Sequence, residues 1–258
     1  MFSLPIYLQG LAVLAAAALC TWACSLWRRN VTIVDSLWSL MFVLAAFTYA
    51  HGALSAGPRS VLTLALVTVW ALRLSLYITW RNFGHDEDRR YQAIRARNEP
   101  HFAIKSLYLV FGLQVLLAWV ISLPLLGALL NPGPLGVMDW AGAMLWMVGF
   151  AFEAGGDWQL ARFKSAPANR GKVMDQGLWR FTRHPNYFGD FCIWWGLYLL
   201  AVSAGAWWSI AGPALMSVLL LRVSGVTLLE RDIGERRPQY AEYARRTNTF
   251  FPGKPRQP

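Results

Sequence analysis

Residues 177–190 read GLWRFTRHPNYFGD and lead directly into an apolar stretch that continues to residue 204. The segment places cationic, amide and phenolic groups at the edge of a hydrophobic helix. A bilayer accepts such groups only at its interface or where they line a polar cavity. The pattern therefore predicts a membrane protein with a polar site at the mouth of a helix bundle.

The composition indicates a polytopic membrane protein. Of the 258 residues, 56% are hydrophobic and 14 are tryptophan, a more apolar composition than that of soluble domains. A crossing takes about 20 residues, and seven stretches are long enough, or nearly so, to span a bilayer. The predicted fold is all-α, with seven transmembrane helices at Leu4–Trp27, Ile33–Ala50, Val61–Trp80, Ile104–Leu130, Gly136–Leu160, Phe188–Ala204 and Trp207–Leu229. A tight turn at Gly205 separates the last two.

The net charge of +10 follows this topology and does not indicate a nucleic acid partner. Lys and Arg are concentrated after helix 1, between helices 3 and 4, between helices 5 and 6, and after helix 7, whereas the alternate loops contain only Arg59. By the positive-inside rule, this asymmetry places the N-terminus outside and the C-terminus in the cytosol. Because targeting and retention signals are lacking, we expect an integral, multi-pass protein of the bacterial inner membrane.

Cysteine usage and short motifs exclude several kinds of site. Cys20, Cys24 and Cys192 all fall inside predicted helices, without the spacing of a disulfide framework or a zinc site. The chain also lacks a P-loop and a GxGxxG motif. We therefore expect no metal and no Rossmann fold. One membrane domain covers residues 1–258, with helices 1–3 and the first cytosolic loop in 1–105 and helices 4–7, their loops and the tail in 106–258.

Apart from Asp139 near the outer end of the fifth span, the charged residues inside the predicted spans all fall in the cytosolic half of the membrane. Besides Lys105 near the start of the fourth span, they are Asp35, Arg73, Glu153, Asp157, Asp190 and Arg222, with Glu230 at the last boundary. An ionisable residue within a membrane is a functional-site candidate by default, and here five helices agree on the depth. The alternative is that these charges form pairs that hold helices together.

Two polar segments lie outside the spans. In residues 180–190, Pro185 favours a helix start, whose N–H groups attract anions, and Arg183 and His184 add cationic donors. In the tail, Tyr240 and Tyr243 share one helical face. The alternatives are an interfacial turn with snorkelling arginines and a solvated charged helix.

Together these motifs resemble the steroid 5-alpha-reductase family, and most closely its bacterial homologue branch. The resemblance covers essentially the whole chain. It is carried by residues 177–190 with Glu230, Tyr240, Tyr243 and the Phe250-Phe251-Pro252 run, and by VDSLW at 34–38, LRL at 72–74, Arg81-Asn82 and EDRRY at 87–91. Isoprenylcysteine and phospholipid methyltransferases of the same superfamily share a similar Arg-His-Pro-x-Tyr plus Glu pattern, whereas the N-terminal matches favour the reductases.

The resemblance implies an enzyme that uses NADPH to reduce the Δ4 carbon–carbon double bond of a 3-oxo steroid or a similar lipophilic enone. The implied catalytic residues are Asp35, Tyr77 and Asp190, the last of which stands where the family has Glu. The implied cofactor-binding residues are Arg73, Arg81, Arg90, Tyr91, Asp157, Lys164, Arg180, Arg183, His184, Asn186, Tyr187, Asp190, Arg222, Glu230, Tyr240, Tyr243, Arg245 and Arg246. Hydride delivery to an enone develops charge on its carbonyl oxygen, and a buried Asp35 that keeps its proton is one candidate donor.

Two other functions fit parts of the pattern. One is an S-adenosylmethionine-dependent lipid or isoprenylcysteine methyltransferase, and the other is a non-catalytic sterol or lipid binder. The surplus of arginine favours NADPH, because its 2′-phosphate makes it more anionic than the methyl donor. The expected partners are a lipophilic small-molecule substrate and membrane lipids. The oligomeric state is left open by the sequence, and a monomer is compatible with it.

Overall fold

The computed structural model describes residues 2–53, 57–131, 133–223, 226, 230 and 239–256. Over these residues the fold is all-helical and contains no β-strand. The helices are α1 (Leu4–Arg28), α2 (Ile33–Gly52), α3 (Pro58–Asn82), α4 (Arg89–Asn98), α5 (Phe102–Ser106), α6 (Leu113–Ile121), α7 (Leu123–Leu129), α8 (Val137–Ser165), α9 (Pro185–Ser203), α10 (Ala211–Val218) and α11 (Tyr240–Arg246).

Four segments are long and apolar enough to cross a membrane, and they match the first four predicted spans. They are Leu4–Arg28, Ile33–Gly52, Pro58–Asn82 and Phe102–Ile121, and they indicate a membrane-embedded protein. The fifth and sixth predicted spans form α8 and α9, but α8 contains three acidic side chains and α9 begins with a polar turn. The seventh is helical over Trp207–Val223. Most of residues 224–229, at the end of that span, and residues 231–238 of the tail lie outside the described residues.

Two features differ from the sequence prediction. The fourth predicted span, Ile104–Leu130, is not one helix, because it passes through a π-helical turn at Leu107–Gly112 and is interrupted at Ser122. Pro124 contributes to this interruption, since proline has no N–H with which to continue the preceding helix. The first cytosolic loop, for which the sequence predicts no helix, contains α4, whose N-terminus is capped by Asp88 through the N–H of Arg90 at 2.9 Å.

The chain forms two compact units. Unit 1 comprises Met1–Val137 and Leu200–Ala211, and unit 2 comprises Met138–Leu199 and Gly212–Pro258. The predicted tight turn after α9 is present, with Gly205 at a φ of 75°, a value that favours glycine.

Polar groups and one glycine hold the helices of unit 1 together. A Cβ on Gly10 of α1 would lie 2.5 Å from the ring of Tyr49 on α2, so the two helices approach closely there. The Tyr49 hydroxyl lies 2.8 Å from Oγ of Ser122. Tyr7 donates to the carbonyl of Trp119 at 3.1 Å, and the Trp119 indole donates back at 2.9 Å. These buried polar groups are thus paired within the protein.

In unit 2, α8 and α9 contact each other through glycine residues. We call this contact the glycine interface. Its members recur every seven residues, two helical turns, and are Gly142, Gly149 and Gly156 on α8 and Gly189 and Gly196 on α9. A Cβ on Gly189 would lie 2.4 Å from the backbone nitrogen of Glu153 and 2.5 Å from the carbonyl oxygen of Gly149. This contact places the first turns of α9 beside the acidic side chains of α8.

The C-terminal segment returns to the start of α9. The N–H of Arg183 donates to the carbonyl of Asn248 at 2.9 Å. Aromatic rings of α9 and of the tail pack edge to face, with centroids 5.6–6.2 Å apart, in the group Phe188, Phe191, Phe250 and Phe251. The aromatic tail thereby covers one side of α9.

Candidate functional site

The turn that precedes α9 is built by local hydrogen bonds. The N–H of Leu178 donates to Oε1 of Gln159 on α8 at 2.9 Å. Thr182 is fully buried; its hydroxyl donates to the carbonyl of Phe250 at 2.8 Å and accepts the N–H of His184 at 3.3 Å. Helix α9 then begins at Pro185, as the sequence predicts. The side chains of residues 183–190 therefore start from a fixed backbone.

Arg183 uses all of its hydrogen-bond donors inside the protein. A guanidinium has five N–H groups. Two donate to the two carboxylate oxygens of Glu230, from Nε at 2.7 Å and Nη2 at 2.8 Å. The others donate to the tail, at 2.8–3.0 Å, in the group Ala244, Thr247 and Thr249. Because no N–H remains for a phosphate, this geometry does not support the predicted cofactor contact and makes Arg183 a positioning residue.

Glu230 is the centre of this network, which we call the Glu230 cluster and which consists of Arg183, His184, Glu230 and Tyr240. Nε2 of His184 lies 2.9 Å from Oε1 of Glu230, and the Tyr240 hydroxyl donates to the same oxygen at 3.0 Å. Burial alone would raise the pKa of Glu230, but the bonds and charges of His184 and Arg183 outweigh it and lower the pKa to about 2. The carboxylate is therefore ionised at neutral pH.

The predicted aromatic residues pack around this cluster. Tyr240 and Tyr243 share a face of α11, as predicted, with their rings 5.7 Å apart. The Tyr243 hydroxyl donates to the carbonyl of Trp179 at 2.5 Å, which ties α11 to the turn before α9. The ring of Tyr187 stacks on that of His184 at 5.7 Å and 10°. These rings fix the cluster in place.

A second polar group lies where α9 meets α8. Nδ2 of Asn186 donates to Oδ1 of Asp157 at 3.2 Å. Asp157 is 5% exposed and Glu153, one turn earlier on α8, is 3% exposed. Asp190 follows Asn186 by one turn on α9 and is partly buried. An amide and three carboxyl groups thus lie in the apolar surroundings of two packed helices, beside the glycine interface.

The remaining predicted cations of unit 2 divide into two kinds. Arg246 forms an ion pair with Asp175. Four others are exposed at the surface, namely Lys164, Arg180, Arg222 and Arg245. These four exposed cations, and not Arg246, are the ones that a soluble anion can reach.

In unit 1, Asp35 is a hydrogen-bond acceptor. Its two oxygens accept from the Tyr91 hydroxyl at 2.5 Å and from Nη2 of Arg90 at 2.8 Å. Burial and the neighbouring Asp35 raise the pKa of Tyr91, so the phenol keeps its proton. Both oxygens are therefore occupied by donors from α4, and Asp35 holds α4 against α2; its predicted role as a donor to a substrate carbonyl stays a prediction.

Three more predicted residues of unit 1 lie along α3. The Arg73 and Arg81 guanidinium carbons lie 5.5 and 5.9 Å from the ring centre of Tyr77, within the range of a cation–π contact. Their predicted roles, and that of the Tyr77 hydroxyl as a donor, stay predictions.

Several residues that organise these groups were absent from the predicted site. They are Thr182 and Trp179 in the turn, Asp175, which binds Arg246, and Glu87, which binds Arg95 through two bonds of 2.8 Å. Glu87 stands beside Asp88 in the EDRRY motif, and its charge among arginines was an available signal. The seven-residue spacing of the glycines in α8 and α9 was also visible in the sequence.

The chain belongs to the family described as "Protein of unknown function (DUF1295)", which matches residues 21–247. It is also similar to an uncharacterized protein of Schizosaccharomyces pombe, at 28% identity over 262 residues that cover 90% of this chain and 75% of the relative. No solved structure matches the chain. The family match contains both the Asp35 contacts and the Glu230 cluster, so both lie within the region that defines the family.

Proposed function

We propose that this protein is an NADPH-dependent membrane reductase that reduces the carbon–carbon double bond of a 3-oxo-Δ4 steroid or a similar lipophilic enone. The observation that carries the proposal is the bond between Asn186 and the buried Asp157, one turn from Asp190. It stands at the start of a helix whose position is fixed by the Glu230 cluster. This arrangement, together with the resemblance of the motifs to the steroid 5-alpha-reductase family, favours reductase chemistry.

The side chains of unit 2 suit a polyanionic cofactor in two ways. The exposed cations Lys164, Arg180, Arg222 and Arg245 complement phosphate groups. The amide of Asn186 offers both a donor and an acceptor to a carboxamide, and Asp157 orients it. Under this proposal the Glu230 cluster touches no phosphate; its residues keep the turn and the tail in register.

The reaction requires a site from which water is largely excluded and a source for the proton that is added to the substrate. NADPH supplies a hydride to the β-carbon of the enone, and a proton from water or an acid completes reduction at the α-carbon. The glycine interface places apolar surface beside the partly buried Asn186 and Asp190, and polar interactions are stronger where water is scarce. The apolar helices let a lipophilic substrate arrive from the bilayer, whereas the arginines attract the soluble cofactor.

Cofactor binding to the detergent-solubilised protein tests the proposal. A ligand that binds only the folded state, at about a hundred times its Kd, adds about 2.7 kcal/mol of stability. We expect NADPH to raise the unfolding temperature and S-adenosylmethionine, measured in parallel, to leave it unchanged. With NADPH and a progesterone-like enone, the product should gain two hydrogens by mass spectrometry, with matching loss of NADPH absorbance.

Variants assign the binding residues. Asn186→Ala and Asp190→Ala should remove the stabilisation by NADPH while the ligand-free protein keeps a cooperative unfolding transition. Glu242→Gln, which removes an exposed carboxylate from α11, is the matched control and should respond to NADPH like the parent. Stabilisation by S-adenosylmethionine alone would instead assign methyl transfer, and an unchanged NADPH response in both alanine variants would remove the assigned pocket.

A further inference from the structure

A small groove lies in unit 1 where the end of α1 meets α4 and α5. Its volume is about 120 Å³, and its lining includes Ser25, Leu26, Arg29, Val31, Arg95 and Phe102. Such a volume holds a phosphate group but not a nucleotide. The lining residues belong to unit 1, whereas Asn186 and Asp190 belong to unit 2.

Arg29 occupies a backbone position that normally selects glycine. It follows α1 with a φ of 50° and a ψ of 33°, and its N–H and that of Asn30 return to the carbonyls of Leu26 and Ser25. Helices commonly end in this left-handed conformation, most often with glycine because a Cβ is unfavourable there. Arginine is therefore in an unfavourable backbone conformation at the one lining position that has an exposed charge. This indicates that the guanidinium has a function there.

The charges around the groove leave a positive excess. Arg95 is neutralised by Glu87 and lies 4.4 Å from the ring centre of Phe102. Arg28 and Arg29 are exposed and form no ion pair with any part of the chain that the structure describes. The groove therefore offers an anion the partly buried face of Arg95 and the exposed cation of Arg29, and Arg28 adds a positive charge next to Arg29 in the chain.

Apolar surface surrounds the same groove. Leu26, which lines it, is 40% exposed, Ile104, which follows the lining residue Ala103 in the chain, is 67% exposed, and Trp27 is 87% exposed. Tryptophan at the end of a membrane-crossing helix commonly lies at the headgroup level. Since α1 is long and apolar enough to cross a membrane, the groove would open at that level with hydrocarbon on one side.

We propose that this groove binds the phosphate headgroup of an anionic phospholipid, with Arg29 as the donor from its lining and Arg28, the preceding residue, as an additional positive charge. The acyl chains lie against Leu26 and Ile104. Basic pockets between membrane helices are a known type of site for anionic headgroups, and the small volume favours a phosphate with its chains outside the groove. This site is independent of the reductase function.

Native mass spectrometry of the full chain in detergent tests the proposal, with phosphatidylglycerol and phosphatidylcholine as probes. The parent should retain one phosphatidylglycerol more tightly than phosphatidylcholine. Arg29→Gln should weaken that binding about fivefold, the effect of one cation near a membrane surface. Arg97→Gln, which removes an exposed arginine of α4 outside the groove, is the matched control and should bind like the parent.

A second variant separates binding from folding. Arg29→Gly suits the left-handed backbone, so it should keep or raise the unfolding temperature and still lose the bound phosphatidylglycerol. Equal binding by Arg29→Gln and the parent, or equal losses in Arg29→Gln and Arg97→Gln, would overturn the proposal. Complete displacement of the lipid by inorganic phosphate would also overturn it, because the groove would then be a site for free phosphate.

Discussion

The guanidinium of Arg183 and the carboxylate of Glu230 form a two-point contact, with Nε–Oε1 at 2.7 Å and Nη2–Oε2 at 2.8 Å. The partners are 47 residues apart in the chain, and the Arg183 side chain is 9% exposed. This bond joins the turn before α9 to the segment that leads into the tail. The charged motif that suggested a phosphate site therefore has an internal carboxylate as its anion.

Arg183→Lys tests whether the geometry of this contact matters beyond its charge. Lysine keeps the positive charge but cannot replace the forked donors that reach Glu230 and the tail together. We expect a loss of about 2–3 kcal/mol of stability, the worth of one or two hydrogen bonds to a charged group. Thermal unfolding in detergent and protease release of a C-terminal tag would measure it.

The control for that substitution lies three residues earlier. Arg180 is exposed, so Arg180→Lys should change stability by less than about 0.5 kcal/mol. If the two lysine variants unfold alike, charge alone explains Arg183 and the hydrogen-bond network contributes nothing measurable.

The Glu230 cluster should make the attachment of the tail depend on acid pH. The cluster lowers the pKa of Glu230 from 4.5 to about 2, so the folded state binds this proton less readily than the unfolded state. Its stabilising contribution is complete above pH 4.5 and is lost as the pH falls toward 2. Peptic cleavage of the tail should therefore accelerate through this window.

Glu230→Gln is the control for the acid effect, because it has no carboxyl group to protonate at this position. Its tail should be cleaved readily at pH 4.5 and show a much weaker pH dependence below it. A parent protein whose tail stays protected down to pH 2 would show that Glu230 does not hold it.

The sequence predicts features that depend on neighbouring residues and misses those that depend on packing. Hydrophobicity places α1, α2 and α3 within a few residues of their observed ends, and Pro185 marks the start of α9. The shared face of Tyr240 and Tyr243 follows from helical spacing alone. The anion bound by Arg183 could not be predicted in this way, because nothing local selects Glu230 from the other carboxylates.

The contact between Asp35 and Tyr91 gives a prediction for unit 1. Tyr91→Phe removes a hydrogen bond of 2.5 Å to a carboxylate and should cost about 2 kcal/mol. In a double-mutant cycle, Asp35→Asn should reduce the cost of Tyr91→Phe by at least about 1 kcal/mol, since the charged acceptor is already gone. Thermal unfolding of the four proteins measures this coupling.

Tyr108, which is exposed, provides the control for the Tyr91 substitution. Tyr108→Phe alters an exposed tyrosine and should leave stability nearly unchanged. Additive effects of the Asp35 and Tyr91 substitutions would mean that the contact between the two side chains contributes no measurable stability.

The glycine interface gives the sharpest prediction, because one added methyl group meets backbone atoms. In Gly189→Ala the new Cβ would lie 2.4 Å from the nitrogen of Glu153 and 2.5 Å from the oxygen of Gly149. Helix backbones cannot shift as side chains do, so α8 and α9 must separate. Overpacking of this kind costs about 3 kcal/mol or more.

Gly155→Ala is the matched control on α8. Its Cβ would meet only Cδ1 of Leu178 at 3.1 Å, a side-chain methyl that can move by a few tenths of an ångström, and alanine favours the helix more than glycine does by about 1 kcal/mol. We expect Gly155→Ala to unfold near the parent temperature and Gly189→Ala well below it. Separation of the helices also moves Asn186 away from Asp157, so if the proposed function holds, Gly189→Ala should bind NADPH weakly even where it remains folded. Equal unfolding temperatures for the two variants would mean that α8 and α9 are not in the close contact that sets the position of Asn186.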